Sequence, residues 1–183
     1  MGKYLVTNKI VALGLMVALN VVLVRFASVR ISIGGVEGIR IGLGNFPVIL
    51  TGFLFGSIAG GMVGAIGDIL GFFLNPMGVY MPHFTLCAAL TGVISGLVLS
   101  CLGREKVTFA KLLVASGVSL FVTSIILVPI FLKSLFYIPM WTTVPPRVVS
   151  FCLTVPFYAL ISEKIGKSVN ISFGDISLYG KPN

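Results

Sequence analysis

Residues 45–74 read NFPVILTGFLFGSIAGGMVGAIGDILGFFL, thirty positions with a single charge, Asp68. As one helix the run would reach about 45 Å, well beyond the ~30 Å hydrocarbon core of a bilayer. It therefore divides into a helix over 45–55 and another over 58–74, with the break at Gly56-Ser57, the best turn signal inside it. Gly52, Gly56, Gly60 and Gly64 recur every four residues, and Gly67 and Gly71 repeat the spacing. Small residues on one helix face let backbones approach closely. That ridge serves tight packing inside this chain or packing against another membrane protein.

The rest of the sequence follows the same solvent rule. Its 183 residues are 57% hydrophobic and 10% charged, with a mean hydropathy of +1.10. Soluble domains carry about 25% charged residues, so an ordinary soluble domain, a disordered chain and a coiled coil are excluded. Further apolar runs cover 10–24, 84–102, 109–132 and 146–165. The expected fold is an all-α membrane protein, six transmembrane helices in a single bundle forming one integral membrane domain over 1–183. Between the first two helices, residues 25–44 carry Arg25, Arg30, Glu37, Arg40 and five glycines and read as a long structured loop. The alternation of Val29, Ile31 and Ile33 points to a short extended piece within it. Proline-containing loops are expected over 75–83 and 133–144. Lys3 and Lys9 precede the first run, and no small-residue cleavage site follows, so a retained membrane helix is expected.

Thirteen Lys and Arg against five Asp and Glu give +8. The cations sit mostly between apolar runs, without a basic stripe interleaved with aromatics, which argues for membrane topology and against nucleic acid. With both termini in the cytoplasm, eight cations fall inside (Lys3, Lys9, Arg104, Lys106, Lys111, Lys164, Lys167, Lys181) and five outside (Arg25, Arg30, Arg40, Lys133, Arg147). The outer five exceed what topology asks for and point to an anionic ligand at a cavity mouth. Cys87, Cys101 and Cys152 are odd in number and lie in or at the ends of apolar runs, as small buried hydrophobes do. His83 is the sole histidine, so no metal site is expected, and no cofactor is implied. The sequence has no phosphate-binding G-x-x-x-x-G-K-[ST] loop, H-E-x-x-H or G-x-S-x-G, so neither ATP hydrolysis nor another enzymatic activity is expected.

Charges at membrane depth single out the candidate site. Asp68 lies about 9 Å below the outer end of its helix. A lone carboxylate there costs about 2.5–3.5 kcal/mol even on the mildest scale. It either pairs with an arginine for structure or faces a ligand's donor groups. Arg147 is expected in the first turn of a helix opened by Pro145-Pro146, with Thr143 as a cap. A cation there opposes the helix dipole and is accounted for by a bound anion or by snorkelling to the headgroups. Arg25 ends the first helix, where the dipole welcomes a cation. Phe26, Tyr80, Phe84, Phe136, Tyr137 and Trp141 collect at the same face, as an interfacial belt or as stacking platforms. His83 is either a helix-start residue or a ligand contact. Gly14 and Ala18 form a small-x-x-x-small pair on the first helix, fit for another chain's helix or for internal packing.

The stretch GAIGDILGFFLNPMGVYMPHFTLCAALTG, residues 64–92, resembles the substrate-binding (S) components of energy-coupling factor (ECF) vitamin transporters. The Asp68 helix, the P-x-G-x-Y-x-P loop over 76–82 and Phe84-Thr85-Leu86 look most like the folate-specific branch. RIGLGNFPVILTGFLFGSIAG (40–60) and ALNVVLVRF (18–26) fit the same branch. The chain departs from it at Ser57, where a proline is usual, at His83, where a glycine is usual, and in VPIFLKSLFYIPMW (128–141). The resemblance implies a six-helix subunit of the cell membrane that captures folate outside. It would then join a transmembrane coupling subunit and two cytosolic ATPases through the small-residue face at Gly14 and Ala18. It further implies a pterin stacked on Tyr80 or Trp141, its amino-pyrimidine edge on Asp68, and glutamate carboxylates on Arg25, Arg30 or Arg147. The alternatives are an S component for another vitamin or aromatic small molecule, a membrane scaffold, and a stand-alone secondary transporter. The last usually shows two similar halves, and no convincing internal repeat is found.

Overall fold

A backbone in lipid must satisfy its own hydrogen bonds, and helices do so within one segment. The computed structural model describes residues 2–26, 28–33, 36–74, 80–103 and 108–168, and within them the side chains of 9–24, 42–74, 80–103, 108–135 and 137–166. Helix α1 spans Gly2–Phe26, α2 Phe46–Phe55, α3 Ser57–Leu74 and α4 Pro82–Cys101. Helix α5 (Phe109–Leu120), a π-helical stretch (Phe121–Leu127) and α6 (Val128–Phe136) run on as one rod, and α7 spans Met140–Ser168. Four segments are long and apolar enough to cross a membrane: Ser57–Leu74, Pro82–Cys101, Phe109–Leu135 and Met140–Gly166. Lys9–Val24 and Leu43–Phe55 are shorter apolar helices.

The segment expected as a loop between the first two helices contains a two-stranded antiparallel hairpin, β1 (Ser28–Ile33) and β2 (Val36–Gly42). Arg30 pairs in register with Arg40, and the register shifts between Ile31 and Ser32. The alternation at Val29, Ile31 and Ile33 is thus the visible half of a hairpin. A 3-10 turn, Leu43–Asn45, leads from β2 into α2. Tyr158 of α7 secures that passage: its hydroxyl donates to the Gly42 carbonyl at 2.8 Å, and its ring lies 5.7 Å from that of Phe46.

Helix α2 is buried along its whole length, as a helix that is apolar all round must be. The chain turns at Gly56, whose φ of 96° is a left-handed value open to glycine, and α3 begins at Ser57. The glycine ridge then lies inside the bundle. A Cβ on Gly60 would sit 2.8 Å from the Gly52 Cα and 2.8 Å from the Gly92 carbonyl oxygen; on Gly96 it would sit 2.6 Å from the Ser57 Cα. Cβ atoms on Gly64 and Gly92 would collide with the Ala88 and Gly60 carbonyls. Internal packing is therefore the use of this ridge, and α3 packs more extensively on α4 than on any other described element. Outward-facing positions such as Val11, Leu15, Phe73 and Leu153 are apolar and exposed, as a lipid-facing surface requires.

The last helix differs most from expectation. It begins at Met140 rather than 146, so Pro145 and Pro146 lie inside it. Thr142 and Thr143 donate to the carbonyls of Pro139 and Met140, at 2.7 and 3.3 Å, instead of Thr143 acting as a cap. As its sixth and seventh residues, Pro145 and Pro146 each remove one intrahelical bond, to the carbonyls of Trp141 and Thr142 near the start of the helix.

The glycine contacts set a contrast. Gly92→Ala should lower stability by about 1–3 kcal/mol, the range for overpacking. Gly14→Ala should change it by less than about 0.5 kcal/mol, since a Cβ on Gly14 meets nothing within 4 Å. Thermal unfolding of both variants in the same detergent checks this.

Candidate functional site

A pocket of ≈ 740 Å³, counting its open mouth, is walled by the Gly42–Asn45 passage, α3, α4, the π-helical stretch and α7. Asp68 and Arg147 line it together with Cys87, Thr91, Thr123 and Ser124. The sequence-predicted acid and base of the site therefore meet in one cavity.

Asp68 is held by hydroxyls and not by an arginine. Its Oδ2 accepts from the Thr85 hydroxyl at 2.7 Å, and Thr85 Oγ1 lies 2.9 Å from the Tyr80 hydroxyl. With Thr85's proton on the carboxylate, Tyr80 is the donor of the second bond. The Tyr80 ring rests on Phe72 at 5.1 Å. This relay fixes the carboxylate while its remaining lone pairs face the pocket.

Arg147 is buried, and its Nη1 donates to Ser124 Oγ at 3.5 Å. Because α7 starts at Met140, Arg147 is its eighth residue. That is beyond the first turn, where the helix dipole acts, so the dipole conflict expected from the sequence is absent. Burial takes its place: an enclosed guanidinium costs several kcal/mol unless acceptors surround it. The hydroxyls nearby have committed their protons. Thr123 donates to the Ser119 carbonyl at 2.8 Å, and the single proton of Thr91 goes to the Cys87 carbonyl at 2.8 Å or to Thr123 Oγ1 at 3.0 Å. Their oxygens remain as acceptors. The pocket thus offers one strong donor group, one carboxylate and a row of hydroxyl oxygens.

Asn20 ties α1 to this site. Its Nδ2 donates to the Gly44 carbonyl at 2.6 Å, and its Oδ1 occupies the space a Cβ on Gly67 would need. Gly44 lines the pocket, and Gly67 precedes Asp68 in the chain. One buried amide therefore sets the spacing of two pocket walls.

The other predicted residues are placed elsewhere. His83 is the second residue of α4, with its ring 5.0 Å from Phe131 and a buried Nδ1 that finds no hydrogen-bond partner. It does not line the pocket. Trp141 is 89% exposed and lines a separate outer groove rather than this cavity. Arg25 ends α1 and Arg30 lies in β1, and the side chains of both fall outside the described residues. Gly14 and Ala18 are exposed on α1, so internal packing of that pair is excluded for Gly14. Thr91, Thr123, Ser124 and Cys87 were missed. The adjacent hydroxyls Thr123-Ser124, in the middle of an apolar run, were the available signal. Among the described residues no cluster of His, Cys, Asp and Glu fits a metal ion.

An acid, a base and hydroxyls enclosed by lipid-facing helices define a membrane-embedded ligand-binding protein. The profile of the ECF-type riboflavin transporter S component matches residues 4–167, and the chain belongs to the S components of ECF-type transporters. The folate transporter FolT of Clostridium novyi (strain NT) is 31% identical over 163 residues, 89% of this chain and 90% of that protein. The crystal structure of FolT bound with folic acid superposes with a TM-score of 0.75 at 25% identity, covering 94% of this chain and 99% of the other. The S component of a bacterial ECF transporter shares the fold at 17% identity, with a TM-score of 0.65 over 90% of this chain and 99% of its own.

Asn20→Ala should cost about 1–3 kcal/mol, the penalty for leaving the Gly44 carbonyl unsatisfied. Thr142→Val, at an exposed position, should stay within about 0.5 kcal/mol. Unfolding midpoints of the two purified variants read the difference.

Proposed function

We propose that this chain is a folate-binding S component. It takes the vitamin from the outer face of the cell membrane and hands it to a transmembrane coupling subunit driven by two cytosolic ATPases. The observation that carries the reading is the presence of Asp68 and Arg147 in one pocket. Folate needs both: its amino-pyrimidine edge donates to a carboxylate, and its glutamate carboxylates accept from a guanidinium in bidentate geometry. The likeness to FolT in sequence and in its folic-acid-bound structure supports the same ligand.

The matching profile carries the name of riboflavin, which makes riboflavin the second reading. Riboflavin has no carboxylate to accept from Arg147 in bidentate geometry, whereas folate carries two. That favours folate.

In this reading α1, α2, α3, α4, the rod over 109–136 and α7 are six crossings of one membrane unit, with both termini cytoplasmic. Arg25 and Arg30 are assigned to the outer side in the same reading, to draw in the anionic tail. Tyr80 acts through Thr85 on Asp68, and the exposed Gly14 and Ala18 form the docking face for the coupling subunit.

The ligand that copurifies in detergent, read by absorbance and mass, should be a folate; a flavin would overturn the assignment. Arg147→Met should weaken folate by about 1.5–3 kcal/mol, the range for a hydrogen bond to a charged group. An analogue lacking the glutamate tail should lose far less, by titration of both ligands.

Gly14→Leu should abolish assembly with the coupling subunit through steric overlap, while the isolated chain keeps its folate affinity. Pull-down of the complex beside ligand titration of the free subunit separates the two effects. Uptake into proteoliposomes should need the complete complex and ATP, since this chain has no phosphate-binding loop.

A further inference from the structure

Two apolar grooves open on the outside of the bundle where α6 passes into α7. One is lined by Ile130, Ser134 and Tyr137, the other by Trp141, Val144 and Pro145, and Lys133, Pro139 and Met140 belong to both. Lys133 is exposed, and its ammonium has no ion pair or hydrogen bond among the described residues. Tyr137 and Trp141, each 89% exposed, stand one in each groove. Tyr137 holds the left-handed conformation (φ 55°) that ends α6.

In a membrane protein an apolar groove on the outer surface is filled by acyl chains. Two such grooves that share one cation match the plan of a diacyl lipid, with its two chains leaving one phosphate. Amphipathic Trp and Tyr are the residues that settle at headgroup level. We propose that Lys133 and the two grooves form a binding site for an anionic phospholipid, with the phosphate on the Lys133 ammonium and the acyl chains along the Tyr137 and Trp141 channels. The cation decides the headgroup, because a zwitterionic lipid fills the grooves equally well but brings no net negative charge. The site is distinct from the ligand pocket, with which it shares no lining residue.

Native mass spectrometry of the detergent-purified full chain tests this with phosphatidylglycerol and phosphatidylcholine of identical acyl chains. A lysine near a membrane surface contributes about 1 kcal/mol toward an anionic lipid, so the wild type should retain phosphatidylglycerol over phosphatidylcholine by about fivefold. Lys133→Gln should remove most of that preference and leave folate titration unchanged, which also shows that the variant folds. Trp141→Ala should lower retention of both lipids alike. A preference that persists in Lys133→Gln overturns the proposal and leaves Lys133 as a charge complementing the C-terminal end of α6. Loss of folate binding with lipid retention intact also overturns it, and assigns the groove to the ligand's path.

Discussion

The near-contact of the α3 and α4 backbones is the constraint from which the rest of the molecule is built. In lipid, apolar side chains gain nothing by leaving an apolar solvent, so helices associate through close packing and polar contacts. Gly60, Gly64, Gly92 and Gly96 leave no room for a Cβ against the neighbouring backbone, and α2 fits behind them with every residue buried. The same contact sets the chemistry. Once Gly64 lies on Ala88, Asp68 one turn further along α3 faces Thr85 on α4, and the hydrogen bond between them follows from the register. A shift by one residue along that seam would turn the carboxylate away from both Thr85 and the pocket.

The polar side chains inside the bundle follow a rule that explains the ligand chemistry. Thr51, Ser116 and Thr123 each donate to the carbonyl four residues earlier in their own helix. A hydroxyl placed this way is satisfied as a donor without a tertiary partner and can be buried at little cost. What remains on the pocket side is an acceptor. Walls made of such hydroxyls and Asp68 call for a ligand with several N–H groups, and Arg147 alone calls for the opposite. A molecule with a donor-rich ring at one end and carboxylates at the other meets both demands at once.

How much of this the sequence disclosed depended on how strongly each residue is constrained. Asp68 and Arg147 were legible because a charge at membrane depth has few permitted surroundings. The turn at Gly56 was legible because thirty apolar residues exceed one crossing and glycine tolerates the φ of 96° found there. The hydroxyl acceptors were not, because a serine or threonine bonded to its own helix looks the same in sequence whether it faces a pocket or a neighbouring helix. The start of α7 was misplaced because Pro145-Pro146 resemble a helix opening. The helix begins earlier, and the two prolines withdraw donors only from the carbonyls of Trp141 and Thr142, at an exposed end where solvent or headgroups supply the bonds. Trp141 then lies outside the cavity, and an aromatic residue near a membrane surface carries no sequence mark that distinguishes a belt from a platform.

Proline also accounts for the wall that faces Arg147. Pro129 has no N–H for the carbonyl four residues back, and its ring crowds that carbonyl. The preceding segment, Phe121–Leu127, widens into a π-helix, with the Val128 N–H reaching back five residues to the Thr123 carbonyl. In a regular α-helix adjacent residues point about 100° apart, so Thr123 and Ser124 would seldom serve one cavity. Along the widened turn both line it, Thr123 meeting Thr91 and Ser124 meeting the Arg147 guanidinium. Local widening of this kind recurs at functional sites. Here a single proline two residues beyond the stretch brings the Ser124 hydroxyl to the buried cation, and with it the polar floor on which the anionic end of a ligand can be received.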